Sequence, residues 1–140
     1  MVEAVFGENK SSSQIASILK KLNNKGQLCL VTRVSKEKAM ELSDLFETIQ
    51  FHEEARCLTL GQPADEDSLL GEVVVLSGGT SDLEVACEAE LALRWHGVKV
   101  DLVMDVGVAG LHRLLSNLER LKSAQVLIAC AGMEGSLPTV

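Results

Sequence analysis

Aromatic side chains are scarce in this chain: its 140 residues hold three Phe, one Trp and no Tyr. Cations are short as well, with 13 Lys and Arg against 20 Asp and Glu, a net charge of −7 and a pI near 4.9. These two deficits exclude a nucleic-acid surface, which needs cations to displace counterions from phosphate and aromatic faces to stack bases. No apolar run approaches the ~18 residues of a membrane span, and nothing at the amino terminus reads as a secretory signal. The expectation is a cytoplasmic protein without nucleic-acid or membrane partners. Cys29, Cys57, Cys87 and Cys130 stand singly in apolar stretches without a CxxC pair, the pattern of reduced packing cysteines. His52, His96 and His112 show no ligand-like spacing to one another or to the cysteines, so no metal site is expected. There is no GxxxxGK[ST] phosphate loop, no GxGxxG and no internal repeat.

What is present is an ordinary globular composition, 46% apolar and 24% charged, in a length that fits one domain or two small lobes. Ser11 and Gln14 have the spacing of a capping box, and Ile15, Ile18, Leu19 and Leu22 follow at helical intervals until Gly26. Residues 28–31 read as a buried strand. Ser35 can cap a second helix with Ala39, Leu42, Phe46 and Ile49 on its apolar face, and residues 56–60 read as another strand. Residues 1–61 thus form a small α/β lobe, followed by a linker over 62–71 in which Gly, Pro and acids cluster. From residue 72 the chain alternates: strand 73–76, helix 82–96, strand 98–103, helix 111–121, strand 125–130. Near-continuous apolar strands separated by helices predict a parallel sheet covered on both faces, a flavodoxin-like three-layer domain over 72–140. Three parallel strands make an incomplete sheet with an open edge, so the expectation is a fragment, a truncated product or half of a site finished by another chain.

Each of these strands runs into a glycine turn: Ser77-Gly78-Gly79-Thr80-Ser81-Asp82, Asp105-Val106-Gly107-Val108-Ala109-Gly110, and Gly132-Met133-Glu134-Gly135-Ser136. Ligands of such sheets bind at the carboxyl ends of the strands, where all three turns fall. The first turn can cradle an anion on helix N–H groups, or hold a ribose hydroxyl with Ser81 donating and Asp82 accepting. Ser81 with Glu84 is equally a capping box that needs no ligand. Arg113 sits in a first helical turn, where a cation opposes the macrodipole by roughly 0.3–1 kcal/mol. It suits a phosphate or carboxylate gripped by two N–H groups, or a salt bridge to Asp82 or Asp105. Leu111, Leu114, Leu115, Leu118 and Leu121 form the expected buried stripe of that helix. His112 is a proton donor, a ligand contact or a surface histidine. Glu134 suits acid–base work or a cationic ring, or is a solvated turn residue. Glu84, Glu88 and Glu90 read as a wet helix face, and Lys10 as a solvated lysine or a phosphate contact.

The three turns in this order, read through Leu83, His112-Arg113-Leu114 and Leu137-Pro138, resemble the LarB family of pyridinium-3,5-biscarboxylic acid mononucleotide synthases, which begin nickel-pincer cofactor synthesis for lactate racemase. Val5-Phe6-Gly7-Glu8-Asn9-Lys10 and Val31-Thr32-Arg33 resemble the first lobe of that family, so the likeness spans nearly the whole chain. Its carboxyl-terminal half is similar to aminoimidazole ribonucleotide carboxylase, from which this sequence departs at Gly79, serine there, and in its longer approach from Gly107 to His112. The resemblance implies carboxylation of the pyridine ring of nicotinic acid adenine dinucleotide by carbon dioxide or bicarbonate, with phosphoanhydride cleavage releasing AMP. It implies no tightly bound cofactor, admits magnesium, and points to a homo-oligomer. The implied substrate-binding residues are Gly78, Gly79, Thr80, Ser81, Asp82, Gly110, Arg113, Gly132 and Met133, with His112 and Glu134 beside the reacting ring. The family's nucleophilic cysteine lies beyond the segment matching Leu137-Pro138, and Cys130, inside an apolar strand, does not replace it. The alternatives carried with this reading are a noncatalytic nucleotide-binding or assembly module and an aminoimidazole ribonucleotide carboxylase or mutase.

Overall fold

The computed structural model describes residues 2–62, 70–133 and 135–140. Most of the expected linker, residues 63–69, and Glu134 lie outside the described residues. The first 60 residues give β1 (Val2–Phe6), α1 (Ser12–Asn23), β2 (Leu28–Thr32), α2 (Lys36–Ser43), β3 (Ile49–His52) and β4 (Cys57–Leu60). The capping box at α1 is formed: Ser11 Oγ accepts from the Gln14 N–H and Gln14 Oε1 accepts from the Ser11 N–H. Ser35 caps α2 in the same sense, accepting from the Lys38 N–H. Helix α2 is shorter than its apolar spacing suggests, because Ile49 leaves the helix and enters β3. These strands form a mixed sheet of order β1-β2-β4-β3, parallel between β1 and β2 and antiparallel elsewhere.

The second half supplies β5 (Glu72–Ser77), α3 (Leu83–Trp95), β6 (Lys99–Val103), α4 (Leu111–Ser116), α5 (Leu118–Lys122) and β7 (Val126–Cys130). Its sheet is wholly parallel, in the order β6-β5-β7, so the protein is α/β as the alternation predicts. Single 3-10 turns cover Thr80–Asp82, Val108–Gly110 and Leu137–Thr139.

The strand period of two decides the layering. Val73 and Val75 of β5 meet Ala86 of α3 on one face, while Val74 and Leu76 meet Leu114 and Leu137 on the other. In the first sheet, Cys29 and Val31 pack on Ile15, Leu19 and Leu42, whereas Leu30 between them faces Cys87, Leu91 and Trp95. Helix α3 is therefore apolar on two sides and is shared by both sheets. Its Leu83, Cys87, Leu91 and Trp95, one turn apart, form the stripe against the first sheet.

Three expectations fail here. The stretch 111–121 is two short helices broken at Asn117, whose Nδ2 donates to the Arg113 carbonyl. Of its leucine stripe, Leu114 is buried and Leu121 partly so, but Leu111, Leu115 and Leu118 are 42%, 51% and 40% exposed. Periodicity identifies an apolar face but not whether anything covers it. The glutamate face of α3 is a seam and not a wet surface: Arg56 pairs with Glu84 at 3.1 Å and Arg33 with Glu88 at 2.9 Å, while Glu90 pairs with Arg94 along the helix. Among the described residues, no helix is long and apolar enough to cross a membrane.

Candidate functional site

The carboxyl ends of β5, β6 and β7 fall side by side, and backbone hydrogen bonds lock their turns together. The Gly78 N–H donates to the Cys130 carbonyl at 2.9 Å, and the Val106 N–H donates to the Ser77 carbonyl at 3.0 Å. Ser77, almost fully buried, turns its hydroxyl onto the Gly79 carbonyl at 2.8 Å. This closeness requires a glycine at position 107 and leaves little room beyond one at position 78. A Cβ on Gly107 would overlap the Gly78 carbonyl oxygen, and one on Gly78 would stand 3.0 Å from the Ala131 Cβ.

Between the turns lies a cavity of about 270 Å³ with walls from all three. Gly78, Gly79, Ser81 and Asp82 form the first wall, Gly107, Val108 and Ala109 the second, and Ala131, Gly132, Met133, Ser136 and Leu137 the third. Among the described residues of this lining, the Asp82 carboxylate is the charged group. Its oxygens stand 3.1, 3.8 and 3.9 Å from where Cβ atoms on Gly78, Gly79 and Gly132 would be, so it reaches across the gap between the first and third turns. A carboxylate there accepts hydrogen bonds from hydroxyls and attracts a cation. Its charge also complements the positive end of α3, whose first turn it precedes, without a hydrogen bond to the helix N–H groups.

The capping box expected from Ser81 and Glu84 is not formed. Asp82 holds the N-cap position with helical φ and ψ and no side-chain cap bond, and Glu84 is turned away to Arg56. A contact 28 positions distant thus overrides a local signal.

The remaining expected residues lie in different places. Gly78, Gly79, Ser81, Asp82, Gly132 and Met133 share the cavity, whereas Thr80 is exposed beside it. Gly110 is buried under the Arg113 guanidinium, whose carbon would lie 2.6 Å from a Cβ at that position. Arg113 itself pairs with Asp105 at 3.5 Å, the salt-bridge alternative, and is not part of the cavity lining. His112 is exposed on α4. Lys10 donates to the Phe6 carbonyl at 2.8 Å and so closes a turn in the first lobe. The sequence placed Gly107, Val108, Ala109 and Ser136 in the ligand-binding turns without naming them individually as binding residues, and did not single out Ala131 and Leu137. The third-turn residues carry no charge or catalytic signature, but the glycine spacing of the second turn could have drawn attention to Gly107.

All four cysteines are free, and each thiol is held above its ordinary range, first by burial. Cys29 and Cys57 are pushed up to about 12, and Cys130 is raised further by the nearby Asp82 charge. Protonated thiols are poor nucleophiles. Among the described residues, no group of three or more His, Cys, Asp or Glu side chains is gathered as for a metal ion.

Fold and cavity together define an α/β protein that brings three glycine turns to one ligand-sized pocket at the carboxyl edge of a parallel sheet. Residues 1–62 match the family model described as LarB/PurE-like N-terminal domain, and this match supports the likeness of the chain to the LarB family. The LarB/PurE-like group is one of carboxylase and mutase-type enzymes. Over 147 residues the chain is 35% identical to an uncharacterized protein of Methanocaldococcus jannaschii, MJ0165. The match covers 99% of this chain and 57% of that protein, so the chain spans a little over half the length of this curated relative.

Proposed function

We propose that the three-turn cavity binds nicotinic acid adenine dinucleotide, and that the chain serves its carboxylation at the pyridine ring with release of AMP. The observation that carries this reading is the Asp82 carboxylate at the meeting of the glycine walls. Glycine walls admit the backbone close to a flat ring or a sugar. A carboxylate suits a ribose hydroxyl or a pyridinium cation better than a lone phosphate, which it would repel. The LarB/PurE-like amino-terminal domain supports the same chemistry from the side of kinship.

In this reading Asp82 accepts from a ribose hydroxyl or faces the ring cation, and Ser81 donates beside it. Gly78, Gly79 and Gly107 set the width of the slot. Arg113 would have to leave Asp105 to reach a substrate carboxylate or phosphate, a short move for a half-exposed side chain paired at 3.5 Å. Magnesium, where used, would accompany the phosphates, and a homo-oligomer would place a neighbouring copy near the site.

A second reading, a noncatalytic nucleotide-binding module, is favoured by one observation. The thiol nearest the cavity, Cys130, is kept protonated by burial and by Asp82, which leaves it unsuited to attack a pyridinium ring. One assay separates the two. The 140-residue protein is incubated with the dinucleotide and labelled bicarbonate, with free AMP and ring-bound label measured. AMP with carboxylated product supports the synthase, and tight binding without either product supports the module. Neither turnover nor binding at millimolar dinucleotide would refute the nucleotide reading.

A further inference from the structure

Arg33 and Arg56 hold backbone conformations that arginine seldom adopts, with φ of +56° and +48°. Arg33 directly follows β2 and Arg56 directly precedes β4, and both reach the same helix. Arg33 Nε donates to Glu88 Oε2 at 2.9 Å, and Arg56 Nη1 donates to Glu84 Oε1 at 3.1 Å. Glu84 and Glu88 are one helical turn apart and flank the apolar stripe of Leu83, Cys87, Leu91 and Trp95. The stripe supplies adhesion between the lobes, but apolar contact is non-directional and would tolerate α3 rolling or sliding. Two guanidinium–carboxylate pairs on one side of the stripe are directional and select a single register. Residue Glu84 is two positions past Asp82, so any roll of α3 moves Asp82 and Ser81 in the cavity wall.

We propose that Arg33 and Arg56 are positioning residues of the three-turn cavity, acting through Glu88 and Glu84 to fix the rotation of α3 and hence the place of Asp82. The LarB/PurE-like domain is then a splint for a site to which, among the described residues, it contributes no lining residue. The importance of the site for a nucleotide rests on the function proposed above, but the mechanical coupling does not. Both pairs are only part-buried, so solvent screening limits their contribution to global stability, and their effect is sought in the loop before the melting point.

The test replaces Arg33 and Arg56 together by glycine, which is at ease at positive φ and so removes the guanidinium groups without straining the backbone. Amide hydrogen exchange of the 140-residue protein is then read residue by residue. The expected result is exchange about fivefold faster at residues 78–83, none at residues 106–110, and a melting temperature within about 2 °C of wild type. The pair Glu84→Gln and Glu88→Gln should reproduce it, and decides the matter if the glycine variant fails to fold. Unchanged exchange at 78–83, or an equal rise at 106–110, would overturn the proposal. So would unaltered dinucleotide affinity in a protein whose wild type binds it. A wild type that binds no dinucleotide defeats the nucleotide reading alone, and the exchange result still decides the coupling.

Discussion

Replacing Gly107 by alanine tests whether the three turns are as tightly joined as their contacts indicate. The backbone there has φ −63° and ψ 154°, comfortable for any residue. Without neighbours, the substitution would stabilise by about 0.4–1 kcal/mol by restricting the unfolded chain. The neighbours reverse the sign: the new Cβ overlaps the Gly78 carbonyl oxygen and stands 3.2 Å from the carbonyl carbon. Both are main-chain atoms, anchored by the Gly78 N–H bond to Cys130 and the Val106 N–H bond to Ser77, so no flexible side chain can yield. Overpacking of this kind costs about 1–3 kcal/mol. Set against the entropic gain, the expected net loss is about 1.3 kcal/mol, or roughly 4–6 °C in melting temperature for a chain of this size. Gly110→Ala is the matched control. Its Cβ would meet the end of the Arg113 side chain at 2.6 Å, which can swing away at the cost of a surface ion pair of about 0–1 kcal/mol. Urea unfolding of both variants gives the answer. A Gly107→Ala protein as stable as wild type, or more stable than Gly110→Ala, would refute the reasoning.

The leucines of α4 and α5 should divide by burial and not by helical spacing. Leu114→Ala is expected to cost about 2–4 kcal/mol and Leu115→Ala less than about 0.5 kcal/mol, measured by thermal unfolding, since the first is buried and the second is 51% exposed. Alkaline stability should follow the buried thiols. Cys29 and Cys57 keep their protons in the fold up to about 12, against an ordinary 9.0. Their contribution is therefore complete below pH 9 and is lost as pH rises from 9 toward 12. Urea midpoints should fall over that window in wild type and fall less in a Cys29→Ala, Cys57→Ala variant, and parallel curves would contradict the assignment.

Much of the second lobe was legible because its signals are local. The Val73–Leu76 run, the glycine turns and the stop at Gly97 each bound an element, and β5, α3, β6 and β7 fall within a residue or two of expectation. Strands β1 and β3 were not read. Val2-Glu3-Ala4-Val5-Phe6 has three large apolar residues but no strict alternation, with Glu3 and Ala4 together between them, and Ile49 also continues the apolar spacing of α2. Both strands are specified by pairing, β1 along β2 from well beyond α1 and β3 along β4 through a short hairpin, and not by their own residue pattern. The same distinction governs the site. Glycine turns identified its walls, but the destination of Arg113 at Asp105, and of Glu84 at Arg56, depends on which partner the fold brings near. The open leucine face of α4 and α5 reflects the same limit, since amphipathic spacing encodes a face and not its cover.

The central claim is that the glycine turns after β5, β6 and β7 make one nucleotide pocket organised by Asp82. Titration of the protein with nicotinic acid adenine dinucleotide, followed by amide chemical shifts, tests it most directly. The account predicts saturable shifts at residues 78–82, 107–109 and 131–133 that are weakened at least about tenfold in affinity by Asp82→Ala, the loss of a charge-assisted contact. Shifts confined to the separate cavity lined by His52, Ala55 and Cys87, or no saturable shifts at all, would contradict it.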